Sequence, residues 1–291
     1  MKRLFIVNPK AGNKKDIASL KGAILKYFPK AQITLTEHKG HASELAAKAA
    51  AEHCGQVIVA GGDGTINEVV QSLAGSNTAL GVIATGSGNG LARELGCPLN
   101  NFAAAAKALL DFNEVRCDLG KIGGEYFVNL AGIGIEANIA HKFDQKGLRG
   151  ARGKLPYFKI AVEEFFKYKA PQAQVILDNG EVKNLNPLTL VFSNGRQYGS
   201  NFKIAPKASF SDGYLDMVEI PKSDFGRLLL GLPNFFIDGI SPIKISKTTK
   251  IKSAEVKIKG PFYYHLDGEP RRAENNLKIE IIEDAITLLM K

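Results

Sequence analysis

The first third of the chain alternates short apolar runs with amphipathic stretches. Apolar runs at 3–7, 31–36, 56–60 and 79–84 predict strands, and helical spacing of apolar residues predicts helices at 14–27, 41–53, 64–75, 88–95 and 102–111. This alternation, with short linkers, predicts a parallel sheet covered on both faces, and such sheets bind ligands at the carboxyl ends of their strands. From about 115 the period becomes two. Strands are expected at 115–121, 125–130, 173–179, 182–193, 214–220, 243–251 and 254–259, with helical interruptions near 135–145, 154–168 and 223–236. Asp178-Asn179-Gly180 signals a hairpin. The second part reads as a mostly antiparallel sandwich. Strands at 277–283 and 285–290 are compatible with either part.

Composition narrows the class. At 291 residues two domains are expected, and 45% apolar with 23% charged residues is ordinary for a soluble globular protein. The longest apolar stretch, Leu228 to Ile237, contains Pro233 and Asn234 and falls short of the ~20 residues that span a bilayer. Leu4 to Val7 is too short for the apolar core of a signal peptide. Cys54, Cys97 and Cys117 are odd in number and widely spaced, without metal-ligand or disulfide pattern, which fits a reducing cytoplasm. The five histidines show no ligand spacing.

A formal net charge of +9 favours anionic partners without choosing among them. Basic residues cluster at Lys142, Lys146, Arg149, Arg152 and Lys154, and again at Lys244, Lys247, Lys250, Lys252, Lys257 and Lys259. These form either a solvated face or a contact with an anionic membrane surface. No aromatic ladder accompanies them, so nucleic acid is not expected as a partner. Leu228-Leu229-Leu230 with Phe235-Phe236 reads as core or as an interfacial helix.

The candidate chemistry sits in the loops at the strand ends. Asn8-Pro9-Lys10-Ala11-Gly12 follows the first strand, Thr36 to Gly40 the second, Gly61 to Glu68 the third, and Gly86-Ser87-Gly88-Asn89-Gly90 the fourth. Glycines let backbone amides approach an anion, and a helix opening behind them adds partial positive charge. Asp63 in such a turn calls for a cation or hydroxyl to meet it. Phosphate handling with a metal nearby follows. The chain lacks Gly-x-x-x-x-Gly-Lys-Ser/Thr, so this is not a P-loop. Leu266-Asp267-Gly268-Glu269-Pro270 is either a hairpin turn or a carboxylate able to take a proton from a substrate hydroxyl, with Glu269 helping to hold metal or substrate. Ser209 to Asp216 is either a turn before a strand or a site for a hard cation.

In order, Asn8-Pro9 with Ala11-Gly12, Thr36 with Gly40-His41-Ala42, Gly61 to Glu68, Gly86 to Arg93, Asn129 with Gly132-Ile133-Gly134, Asp212-Gly213 and Asp267-Gly268-Glu269 resemble the diacylglycerol kinase catalytic-domain superfamily, specifically its small bacterial lipid kinases. The resemblance implies a nucleotide-binding α/β domain over 1–117 completed by 275–291, of NAD kinase/diacylglycerol kinase-like fold. It further implies an antiparallel β-sandwich lipid domain over 118–274, with the catalytic cleft between them. ATP would contact Asn8, Gly12, Thr36, the segment Gly61, Gly62, Asp63, Gly64, Thr65, Ile66 and Asn67, and Ser87, Gly88 and Asn89. Asp63 would organise Mg2+ and phosphates, and Asp267, with Glu269 beside it, would be the general base. A structural magnesium would be held by the Ser209 carbonyl, Asp212 and the Tyr214 carbonyl.

The expected activity is an ATP- and Mg2+-dependent lipid kinase acting on a hydroxyl of a diacylglycerol-like membrane lipid. The expected place is the cytoplasm, peripheral at the inner membrane face, with transient contact to anionic lipid; a homodimer is allowed. Ala84 stands where the bacterial diacylglycerol kinases usually carry proline, and Ser87, Gly90 and Leu91 resemble the sphingosine kinase branch instead, which keeps a sphingoid base as an acceptor. Two competitors are a nicotinamide-nucleotide kinase, which shares the Gly-Gly-Asp-Gly turn, and a non-catalytic nucleotide- or lipid-binding regulator.

Overall fold

The computed structural model describes residues 2–11, 17–145, 163–164, 167–198, 203–224 and 246–291. They form two compact units, Met1–Leu119 with Ile282–Lys291, and Gly120–Ile281. Among the described residues no helix is long and apolar enough to cross a membrane.

In the first unit β1 (Arg3–Val7), β2 (Gln32–Leu35), β3 (Gln56–Gly61) and β4 (Ala79–Ala84) are parallel, in the order β2-β1-β3-β4. Every residue of β3 and β4 is buried, which is why both read as unbroken apolar runs. The helices are α1 (Ile17–Tyr27), α2 (His41–Ala51), α3 (Asp63–Leu73), α4 (Gly90–Glu94) and α5 (Phe102–Ala108). Leu20 and Ile24 of α1 and Ala105 and Ala106 of α5 join Phe5, Ile58 and Ile83 in one core. Helices α2 and α3 pack on each other, with Ser43 and Ser72 hydroxyls 2.7 Å apart.

β5 (Asn113–Ile122) leads into the second unit. There follow β6 (Glu125–Phe127), β7 (Leu130–Gly134), α6 (Ile135–Gln145), β8 (Ala173–Leu177), β9 (Val182–Leu185), β10 (Pro187–Ser193) and β11 (Leu215–Pro221). The chain continues through β12 (Lys247–Ile251), β13 (Ser253–Ile258), β14 (Phe262–Leu266), β15 (Glu269–Ala273) and β16 (Asn276–Met290). One sheet runs β12-β11-β10-β7-β14-β15 and is antiparallel throughout. β13 pairs antiparallel with β8 and with residues 276–280 of β16, and β8 pairs with β9. Ala131, Ile133, Phe192 and Met217 from the one sheet meet Val175, Val256 and Ile279 from the other in a shared core. That is a sandwich. β16 then enters the first unit, where Thr287 and Leu288 lie parallel to Ala79 and Leu80 of β4.

The α/β unit and the antiparallel sandwich are those the patterning predicts; the differences are local. The run 125–130 divides at Val128-Asn129, and a further strand follows to Gly134. It was hidden because Gly132 and Gly134 leave no side-chain alternation to read; a Cβ on Gly132 would sit 2.5 Å from His265 Nε2. The run 182–193 breaks at Asn186, ahead of Pro187. Strands 277–283 and 285–290 are one strand in which Asp284 takes a left-handed φ of 51°. The helix expected at 154–168 lies mostly, and that at 223–236 almost wholly, outside the described residues. So do Gly12, Lys146, Arg149, Arg152, Lys154, Lys244 and the stretch Leu228 to Ile237.

Candidate active-site loops

The parallel pairing of β1, β2, β3 and β4 brings their carboxyl ends to one sheet edge. Asn8 N–H donates to Ala60 O at 2.9 Å and Thr36 N–H to Val7 O at 2.9 Å, so the loops after β1 and β2 are held to their neighbours. Asn8 Nδ2 donates to Thr65 Oγ1 at 2.8 Å. Gly61 must lack a side chain, since a Cβ there would lie 2.8 Å from Thr65 Cβ. Helix α3 opens at Gly62, whose extended backbone carries no side-chain cap. Thr65 and Ile66 N–H both donate to Gly62 O, at 3.0 and 3.1 Å, which closes the first turn. Thr65, Ile66 and Asn67 are buried, so Ile66 belongs to the core and offers a ligand only its backbone.

The loop after β4 presses on this turn. A Cβ on Gly86 would come within 2.7 Å of Gly62 Cα, and one on Gly88 within 2.8 Å of Asp63 Oδ2. Asp63 Oδ1 accepts from Gly90 N–H at 2.8 Å. The acid therefore ties the third-strand turn to the fourth-strand loop. Asn89 is left-handed, with φ 51°, and its Nδ2 donates to Gly86 O at 2.8 Å. Ser87 is exposed at the tip. Glu68 accepts Gly40 N–H at 3.1 Å and so fixes the entry of α2. Asn8, Thr36, the segment Gly61 to Asn67, Ser87, Gly88 and Asn89 thus share one sheet edge, rich in glycine backbone and carrying one acid. The role of Glu68 was not read from sequence, because a surface acid on a helix gives no signal of its loop partner.

In the second unit Asp267 occupies the turn between β14 and β15 with φ 48°. Its Oδ1 accepts from Asn129 N–H (2.9 Å) and Leu130 N–H (3.0 Å), its Oδ2 from Val128 N–H (2.9 Å), and its own N–H donates to Leu130 O (2.9 Å). Three amide donors fix the carboxylate's position. Asn129 O in turn accepts Asn194 and Gly195 N–H at 2.8 and 2.7 Å. Asn129 Oδ1 is buried without a hydrogen-bond partner. Glu269 opens β15, and the neighbouring Arg271 forms a two-pronged ion pair with Glu125, Nε–Oε1 and Nη2–Oε2 both 2.8 Å, which holds the hairpin to β6. The segment is a hairpin turn, and its carboxylate is held in place by backbone amides.

Two polar groups that sequence reasoning missed lie behind this turn. Glu136, at the start of α6, receives the Thr189 hydroxyl, and its Oε2 is sealed without a partner. Burial pushes its carboxyl up to about 7, with the Thr189 bond and its own backbone amide pulling the other way. His265, 2% exposed, is pushed down to about 4 by burial. A Cβ on Gly132 would lie 2.5 Å from His265 Nε2 and 2.7 Å from Glu136 Oε1, so both side chains reach that glycine's bare face. A lone histidine and a lone acid some 130 residues away carry no pairing signal until β7 and β14 are known to be neighbours.

At the 209–216 turn, Ser209 Oγ accepts Ser211 N–H at 3.4 Å and Asp212 Oδ1 accepts Tyr214 N–H at 3.2 Å. Asp212 Oδ2 accepts from the Lys250 ammonium. Among the described residues no three His, Cys, Asp or Glu side chains group as metal ligands. The one exposed carboxylate of the turn is thus engaged on both oxygens, by an amide and by an ammonium.

Residues 2–122 match the diacylglycerol kinase catalytic domain and residues 129–290 the YegS C-terminal NAD kinase beta sandwich-like domain. A diacylglycerol kinase of Mycobacterium tuberculosis is 30% identical over 273 residues, covering 91% of this chain and 87% of that protein. One of Bacillus subtilis is 29% identical over 283 residues, covering 92% and 90%. A crystal structure of a diacylglycerol kinase from Bacillus anthracis superposes with a TM-score of 0.75 at 22% identity, covering all of this chain and 97% of that one. The chain belongs to the diacylglycerol kinase catalytic-domain family of bacterial lipid kinases. It is an enzyme of that class, a phosphotransferase with an alcohol acceptor.

Proposed function

We propose that the protein transfers the γ-phosphoryl of ATP to a hydroxyl of a membrane lipid, with diacylglycerol as acceptor. The observation that carries this reading is the bare glycine backbone of two loops, Gly61 to Gly64 and Gly86 to Gly90, bridged by Asp63. Phosphoryl transfer leaves little covalent chemistry to the protein, so positioning and charge stabilisation are the catalytic devices. The loop amides and the uncapped start of α3 would cradle the phosphates, with Asn8, Thr36 and Ser87 around the nucleotide. Asp63 would hold Mg2+, which when bound supplies positive charge against the phosphate oxygens. Asp267, fixed by three amides, accepts the acceptor hydroxyl's hydrogen bond and takes its proton as transfer proceeds; Glu269 assists. The resemblance of the 86–92 loop to sphingosine kinases supports a sphingoid base as the second reading. Net charge of +9 supports a transient encounter with anionic lipid at the inner membrane face.

The test is label transfer from γ-labelled ATP with Mg2+ into mixed micelles carrying diacylglycerol, sphingosine or neither. Label in the diacylglycerol band is expected. Asp267→Asn should slow transfer by about 100-fold or more while ATP binding by calorimetry is retained. Asp63→Asn should lose metal-dependent ATP affinity. Label in neither lipid, or full turnover by Asp267→Asn, overturns the proposal.

A further inference from the structure

Strand register sets the scene at the 209–216 turn. β11 and β12 pair antiparallel with Asp216 directly opposite Lys250, so the ladder delivers an ammonium to that carboxylate. The Asp216 side chain is 5% exposed, its Oδ2 has no hydrogen-bond partner, and Lys250 Nζ lies 3.8 Å from it. Asp212 reaches the same ammonium from the turn before β11. The Tyr214 ring completes the surround, its centroid 5.7 Å from Nζ. The Lys250 ammonium therefore faces two carboxylates and an aromatic face, and Lys252 Nζ also lies 5.5 Å from that ring's centroid. Burial weakens the Asp216 carboxyl's ionisation, opposed by the Lys250 charge and reinforced by Asp212. An acid pair held this close needs a resident positive charge.

We propose that the Lys250 ammonium is that charge, standing where the resembled family carries a divalent ion, so that this chain closes its Asp212–Asp216 turn without metal. The inference does not depend on which lipid is phosphorylated. A divalent ion here would compete for the same oxygens and meet the ammonium at contact distance. Lys250 stays half-exposed, with the flexible stem of a lysine, so the arrangement needs no other backbone than the one the β11–β12 ladder provides.

Thermal melts of the full chain without nucleotide, in EDTA and in millimolar MgCl2, test this. The wild-type midpoint should agree in the two buffers to within about 1 °C. Lys250→Met should melt lower in EDTA and recover by about 3 °C or more in MgCl2, because the vacated acid pair then binds the metal. A wild-type midpoint that falls several degrees in EDTA overturns the proposal, and so does a Lys250→Met variant indifferent to MgCl2. Should that variant not fold, terbium emission excited through tyrosine serves instead, since the chain has no tryptophan. Wild type and Asp212→Asn should give equal emission; emission abolished by Asp212→Asn places a metal at the turn and ends the idea.

Discussion

A Cβ on Gly86 would lie 2.7 Å from Gly62 Cα and 3.0 Å from Asn89 Oδ1, and both neighbours are backbone or backbone-anchored. Neither can retreat without opening the junction between the two glycine loops. Gly86→Ala should therefore cost about 1–3 kcal/mol of stability and weaken ATP binding by about tenfold or more. A melt and a calorimetric titration that both match wild type would show that the loops do not touch. Glu136 makes the second prediction at this scale. Its carboxyl is raised from its ordinary 4.5 to about 7, so the stability linked to its neutral form is complete below 4.5 and is lost as pH rises through 7. His265 acts oppositely: lowered from 6.5 to about 4, it withdraws stability as pH falls through that interval. The Thr189 hydroxyl and the Tyr168 side chain also face Glu136. Comparing Glu136→Gln with wild type isolates the acid from the histidine. Between pH 5 and 8 the variant should gain about 3 kcal/mol on wild type in urea unfolding; parallel profiles would mean the carboxyl is hydrated.

At the scale of elements, what could be read in advance was what a single segment encodes. β3 and β4 are buried on both faces and announce themselves as apolar runs, and α2 announces itself through small apolar residues at helical spacing. The Gly-Gly-Asp-Gly turn between a strand and a helix was visible because the glycines and the helix start are adjacent in the chain. What stayed hidden is relational. The strands β14 and β15 on either side of the 266–270 turn were not read, since Tyr263, His265 and Arg271 mix polar and apolar character and the further partner, β7, lies elsewhere in the chain. Asp267 was legible as an acid on a turn, but not as the acceptor of three amides from 128–130, which only the β7–β14 pairing brings together. The Asp216–Lys250 pair spans 34 residues and depends on a register that no local pattern encodes.

At the scale of the molecule, the first unit is not contiguous in sequence: its last strand arrives from the far end of the chain as the continuation of β16. Within that unit Ile286, Leu288 and Leu289 are no more than 1% exposed, and Leu289 packs in the core with Phe5, Ile58 and Ile83. Asp284 N–H donates to buried Asp118 Oδ1 at 2.9 Å, and Gly75 N–H to Ala285 O at 2.7 Å, so the returning strand also closes backbone hydrogen bonds. Burying each of three such side chains is worth roughly 1.5–3 kcal/mol. Their sum is comparable with the about 5–15 kcal/mol that holds a whole domain. A fragment comprising residues 1–119 should therefore be unfolded by circular dichroism although it carries every proposed nucleotide-binding residue. Fusing residues 282–291 to its end through a flexible linker should restore cooperative melting, because the strand pairs with β4 inside that unit. A fragment 1–119 that melts cooperatively without the fused strand would show that the glycine-loop cradle stands on β1 to β4 alone.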